Sequence, residues 1–157
     1  MGKVIADATV LSNFLIVDGL SILVKAISNL CTTREVFKEI KAGVERGVIP
    51  AANLNQIEIL EMTPEEKEIF SRISEKLGRG EASCLAIAMS RGFRILTDDW
   101  DARKYAQKLS IPVSGTIGVL VSAVDRDVIT KVQGNNLLSK MIKAGFYSPI
   151  DRLDEVL

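Results

Sequence analysis

Three carboxylates fall within four positions in Thr97-Asp98-Asp99-Trp100-Asp101, directly after the apolar run Phe93 to Leu96. Neighbouring like charges raise one another's pKa and oppose joint ionisation, so such a cluster calls for a cation. The chain has no histidine, which removes Ser-His and Cys-His catalysis and leaves oxygen ligands for any acid-base or metal chemistry. Oxygen-only donors select a hard divalent ion such as Mg2+ or Mn2+. Cys31 and Cys84 lie far apart, match no paired metal or redox spacing, and read as core thiols. The question is which other acids reach the same place.

The answer depends on the elements that carry them. Phe93 to Leu96 is short, with a turn signal at Gly92 before it and a polar break after it, which predicts a strand of a parallel sheet. Ligand sites in open α/β sheets lie beyond the carboxyl ends of strands. Lys3 to Ala6 repeats the pattern and ends at Asp7, before Val10, Leu11, Phe14, Leu15 and Val17 at helical spacing. An Asp in that position also serves as a helix N-cap. Ser21 to Leu30 reads as a second apolar helix or a helix-strand passage. Thr32-Thr33-Arg34-Glu35 carries a capping-box signature, with Thr32 as N-cap and Glu35 at the third helical position, which gives Glu35 a structural role. On that helix Val36, Phe37, Ile40 and Val44 share a face, and Glu39 falls at its margin, where a carboxylate can look into a cleft.

Gln56 to Leu60 is an expected strand, and Thr63-Pro64-Glu65-Glu66 opens a helix with Thr63 as cap and Glu66 closing a second capping box. Gly78-Arg79-Gly80-Glu81 separates it from a helix whose Ala82, Leu85, Ala86 and Met89 form a small-residue face for close packing. Glu81 lies in the first turn, a placement that the helix dipole alone favours. Asp101 to Leu109 is a short helix, Ile111 to Ser114 a strand, Thr116 to Val124 a helix, and a further helix surrounds Leu137 to Ala144 before a final turn led by Pro149. Strands at Lys3, Gln56, Phe93 and Ile111 alternating with helices predict an α/β fold, a three-layer α/β/α domain with a mainly parallel central sheet.

The bulk properties set bounds. A chain of 157 residues holds one domain with a real core, so residues 1–157 are expected to form a single unit. An apolar fraction of 47% with 25% charged residues is that of a globular protein. No apolar stretch is long enough to span a bilayer, and the N-terminus reaches Asp7 too early for a signal peptide, so the expectation is a cytoplasmic protein with no membrane partner. Twenty basic and 20 acidic side chains cancel, which provides no long-range electrostatic signature of nucleic-acid binding.

Four blocks in order, Val4-Ile5-Ala6-Asp7-Ala8-Thr9, Val36-Phe37-Lys38-Glu39-Ile40, Gly78-Arg79-Gly80-Glu81-Ala82 and Ile95-Leu96-Thr97-Asp98-Asp99, resemble the PIN-domain family of metal-dependent nucleases. The likeness is to its small prokaryotic, VapC-like type. Ala102-Arg103, the Ile111-Pro112-Val113 strand with Gly115-Thr116-Ile117-Gly118, and Ala144-Gly145-Phe146-Tyr147 resemble an archaeal or bacterial subgroup. The resemblance implies that Asp7, Glu39, Glu81 and Asp99 are the catalytic acids and the ligands of Mg2+ or Mn2+. Asp98 holds a commonly polar position, Asp101 is a further candidate, and Thr9 and Thr97 are placed to orient a carboxylate or a water. Arg34, Arg79, Arg103 and Lys104 lie near the blocks, with Arg79 and Arg103 the foremost candidates for steering a substrate backbone. The implied reaction is hydrolysis of single-stranded RNA to a 5′-phosphate and a 3′-hydroxyl, and the implied partners are a second copy in a homodimer and a small antitoxin protein. Two other readings compete. A phosphatase of the haloacid-dehalogenase type needs a second Asp two places after the first, where this chain has Thr9. A non-catalytic binding module would use the acids only as helix caps.

Overall fold

Short apolar runs alternating with amphipathic segments produce five strands and eight α-helices in the computed structural model, which describes residues 2–157. The strands are β1 (Val4–Ala6), β2 (Leu30–Thr33), β3 (Glu58–Leu60), β4 (Arg94–Leu96) and β5 (Val113–Ser114). The helices are α1 (Ala8–Ile16), α2 (Leu20–Ala26), α3 (Arg34–Glu45), α4 (Pro64–Ile73), α5 (Arg79–Arg91), α6 (Trp100–Lys108), α7 (Thr116–Asp125) and α8 (Lys131–Lys143). The sheet runs β3-β2-β1-β4-β5 and every pairing is parallel. Helices cover both faces, giving the expected three layers. On one face α5 crosses β2, β1 and β4 with α4 against it, while α1, α2, α7 and α8 pack on one another. Among the described residues no helix is long and apolar enough to cross a membrane.

The strand order explains where a site can form. From β1 the chain steps outward to β2 and β3, then returns to the other side of β1 for β4 and β5. The order therefore reverses between β1 and β4, and a crevice opens beyond the carboxyl ends of two such strands. Asp7 follows β1 and Thr97-Asp98-Asp99 follows β4, so both flank that crevice.

Several local expectations change. The strand β2 lies beyond the expected Ser21 to Leu30 helix or helix-strand passage: Leu30 to Thr33 is buried throughout, so it lacks the alternation that marks a half-exposed strand. Thr32 and Thr33 pair with Ile59 and Leu60, which carries the strand one residue further and makes Thr33 the N-cap of α3. The Thr33 hydroxyl accepts from the Val36 N–H at 3.0 Å, whereas Thr32 donates to the Ala6 carbonyl. The Thr32-Glu35 capping box therefore does not form, and Glu35 Oε1 is buried without a hydrogen-bond partner. The third strand begins at Glu58 rather than Gln56, and α8 starts at Lys131, capped by Thr130 and Gln133. In α5 the buried run is Ala82 to Ala88, so the helix is enclosed nearly all round, and Met89 is 49% exposed rather than part of the packed face. The capping box of Thr63 and Glu66 forms as expected.

Glu66 also anchors the far end of α5. Its carboxylate is buried, accepts from Arg91 Nε at 2.8 Å and Nη2 at 2.9 Å, and is held down at about 2 chiefly by the Arg91 guanidinium. A carboxyl lowered on folding contributes stability above its ordinary pKa, and that contribution is lost as pH falls toward 2. Arg91→Ala should cost about 2–3 kcal/mol at pH 7, less than a fully buried pair because the Arg91 side chain is 30% exposed. Urea unfolding at pH 7 and pH 3 checks this. An equal loss at both values would contradict the pairing.

Candidate functional site

Asp7 is fully buried at the end of the central strand, and its backbone N–H donates to the Leu96 carbonyl of β4. Its side chain is the N-cap of α1: Oδ1 accepts from the Thr9 N–H at 3.0 Å, the Thr9 hydroxyl at 2.6 Å and the Val10 N–H at 3.3 Å. Oδ2 accepts from the Thr97 hydroxyl at 2.5 Å. Even so, burial pushes this carboxyl up to about 7, against those hydrogen bonds, and the charge of Glu81 adds to the rise. Four donors do not offset the loss of water around a charge.

Glu39 and Glu81 meet at the N-terminus of α5. Serine 83 fixes the relation of the two helices, since its hydroxyl donates to the Gly80 carbonyl and pairs with the Thr33 hydroxyl, each at 2.7 Å. The Glu39 carboxylate then lies over Gly80, whose N–H donates toward it, and a Cβ at position 80 would overlap Glu39 Oε1. The Glu81 carboxylate folds back over Gly78. Burial raises the Glu39 pKa, and Glu81 raises it further. Glu81 thus acts on both Asp7 and Glu39, which places the three carboxylates in one electrostatic field.

The two acids after β4 diverge. Asp99 caps α6, with Oδ2 accepting from the Ala102 N–H at 2.9 Å, and its own N–H donates to the Thr97 hydroxyl. Asp98 has both oxygens engaged. Oδ1 accepts from the Thr116 N–H at 2.8 Å, and Oδ2 accepts from the Thr116 hydroxyl at 2.5 Å and Asn13 Nδ2 at 3.0 Å. Its N–H in turn donates to the Thr9 hydroxyl. Asp98 therefore ties β4 to α1 and α7, and Thr9 and Thr97 link Asp7 to both acids of the β4 end.

The remaining candidates scatter. Asp101 and Lys104 line a separate cleft with Lys76 and Tyr105. Arg79 is exposed and lies over the Phe70 ring, 5.0 Å from its centroid. Arg34 pairs with Glu61 at 2.6 Å. Arg103 alone turns toward the β4 end, donating from Nη1 to the Thr97 carbonyl at 2.9 Å. Asn13, Gly80, Ser83 and Thr116 position the acids without having been singled out for it. Asn13 carried a usable signal: it is a polar side chain in a largely apolar helix, one turn beyond Thr9 on the same face.

The donor chemistry fits a hard divalent cation. Asp7, Glu39, Glu81 and Asp99 offer only oxygen, and none is ion-paired among the described residues. Two of them are pushed toward the protonated form by burial and by Glu81. As the side chains stand, no group of three acids or cysteines among the described residues is arranged to hold an ion. Mutually repelling carboxylates stand apart until positive charge offsets them.

A parallel α/β/α domain with acids gathered at its switch point belongs to the class of open-sheet proteins that bind ligands at strand ends. A family model described as PIN domain matches residues 3–157, and the chain belongs to that family. Membership implies activity of the nuclease type on nucleic acid, in a family that typically uses divalent metals. The phosphatase reading falls with it. No curated protein matches the chain.

Proposed function

We propose that the chain is a Mg2+- or Mn2+-dependent endoribonuclease of single-stranded RNA, with Asp7, Glu39, Glu81 and Asp99 as its metal ligands. The observation that carries this reading is the Asp7 carboxylate, fully buried with hydrogen-bond donors but no cationic partner among the described residues, pushed up to about 7 by burial and sharing the field of Glu81 with Glu39. Such an arrangement is costly for an ordinary helix cap, which is better placed in solvent. When bound, the ion supplies positive charge opposite the phosphodiester and lowers the pKa of water for in-line displacement at phosphorus. The chain's own residues prepare the site: Thr9 and Thr97 hold Asp7 in one rotamer, Gly80 seats Glu39, and Asp98 keeps the β4 end registered on α1 and α7.

Purified protein is expected to cut unstructured RNA in Mg2+ or Mn2+ and to stop on addition of EDTA. Cleavage that persists after chelation would reject the mechanism. Absence of cleavage together with no Mn2+-dependent rise in melting temperature would favour the non-catalytic module.

The reading extends to a toxin acting in the cytoplasm as a homodimer, held inactive by a small antitoxin whose tail enters the acidic cleft. With 20 basic and 20 acidic side chains one chain attracts RNA weakly at long range, and a two-fold pair would gather basic groups from both copies. An apolar stripe of Ile16, Leu20, Leu23 and Ile27, readable in the sequence as a face for a second copy, is largely taken up by the fold. Leu23 is fully buried, Leu20 and Ile27 pack against the core, and Ile16 is half-buried. Sedimentation at micromolar protein tests the dimer, and a monomer at every concentration would remove it.

A further inference from the structure

The two most exposed of the large apolar and aromatic side chains, Trp100 at 71% and Tyr147 at 96%, lie far apart in sequence yet line one cavity. Single exposed aromatics need no explanation, but convergence of two on one concave surface does. The cavity measures about 440 Å3, and Phe146, Arg103 and Asp98 also line it. Phe146 is half-buried against the core, and its N–H donates to the Met141 carbonyl at 2.9 Å. That contact closes the end of α8 through Gly145, whose φ of +118° suits glycine and reverses the chain so that Phe146 and Tyr147 reach α6.

The cavity lies at the β4 end, where Asp98 and Asp99 follow the strand. Trp100 is the residue after Asp99 and opens α6, Asp98 lines the cavity, and Arg103 is pinned by the Thr97 carbonyl. A guanidinium so held keeps further N–H donors for a base edge or a phosphate, and its plane can stack. Flat aromatic faces beside a fixed cation are the means by which proteins hold unpaired bases, because every base has a π-face to stack.

Resting on the nuclease reading above, we infer that Trp100, Phe146 and Tyr147, with Arg103, form a stacking subsite for an unpaired nucleobase next to the scissile phosphodiester. The subsite makes the enzyme selective for single strands. Bases of a duplex are already paired and stacked, and they enter such a cavity only by being extruded.

Trp100 is the only tryptophan of the chain, so its fluorescence reports on this cavity alone. A short oligouridylate titrated into the full-length protein in Ca2+ should quench that fluorescence. An abasic ribose-phosphate oligomer and a duplex RNA of the same length should not. Tyr147→Ala, at an exposed position that leaves the core intact, should weaken the oligouridylate roughly ten-fold, and Trp100→Ala should lower kcat/KM by a similar factor. Equal quenching by the abasic oligomer, or unchanged affinity in Tyr147→Ala, would overturn the subsite. RNA that is cut without quenching keeps the nuclease and removes the subsite. RNA that quenches but is never cut in Mg2+ or Mn2+ keeps the subsite and removes the nuclease.

Discussion

Replacing Asp7 by Asn should lower RNA cleavage by on the order of 10²-fold or more, the cost of losing one fixed electrostatic group at a reacting centre. The same substitution should raise the stability of the metal-free protein at pH 8. Burial pushes the Asp7 carboxyl from 3.8 to about 7, so the folded chain holds this proton more tightly than the unfolded chain does. Stability is then lost as pH rises from about 4 to about 7 and stays lost above, by up to about 4 kcal/mol at 1.36 kcal/mol per pH unit. Asn keeps an oxygen for the Thr9 and Val10 N–H groups and carries no charge to desolvate. In EDTA, Asp7→Asn and the wild type should therefore melt together near pH 4 and diverge in favour of the variant by pH 8. Mn2+ should reverse the order, raising the wild-type melting point more at pH 8 than at pH 5.5 because protons compete for the ligand. A variant that melts below the wild type at pH 8 in EDTA would show that Asp7 is an ordinary favourable cap and remove the electrostatic basis of the site.

The second large effect is expected from a single methyl group. Gly80→Ala places Cβ into the space of Glu39 Oε1, and the same Cβ lies 3.4 Å from Val36 Cγ2. Glu39 is the flexible partner, so its carboxylate must leave the N-terminus of α5. In the first turn of a helix, Ala in place of Gly ordinarily stabilises by roughly 0.5–1 kcal/mol, which offsets most of the crowding. The outcome should be a protein of nearly unchanged melting temperature whose cleavage falls on the order of 10²-fold, as misplacement of about 1 Å does. Glu39→Gln should fall comparably. Full activity in Gly80→Ala would mean that the position of Glu39 over Gly80 is not the working one.

Much of this molecule is written locally. A strand that ends in an acid before a helix can be recognised at Asp7 and at Asp99 from a few adjacent residues, because strand pattern and helix capping act over at most four positions. The α/β architecture followed from the alternation of such segments, and the PIN-domain membership from four short blocks in order. The cap of α3 was misplaced by one residue because Thr32 and Thr33 are equivalent as local caps. Pairing with β3 chose between them, and it also made a strand of a segment without alternation.

What only the tertiary structure decided involves long separations. Asp98 reads in sequence as a lesser neighbour of Asp99, yet it is tied to Asn13 and Thr116, 85 and 18 positions away. Asp101, two residues after Asp99, faces a different cleft because the turn of α6 carries it around the helix. The approach of Glu39 to Gly80 and the meeting of Trp100 with Tyr147 follow from how α3 packs on α5 and how the chain reverses after α8. Residue types and their spacing determine which groups stand at the strand ends. Only the packing of helices around the sheet determines which of those carboxylates are tied to neighbouring donors in a polar setting and which are buried in one another's field, because burial and distance set that balance.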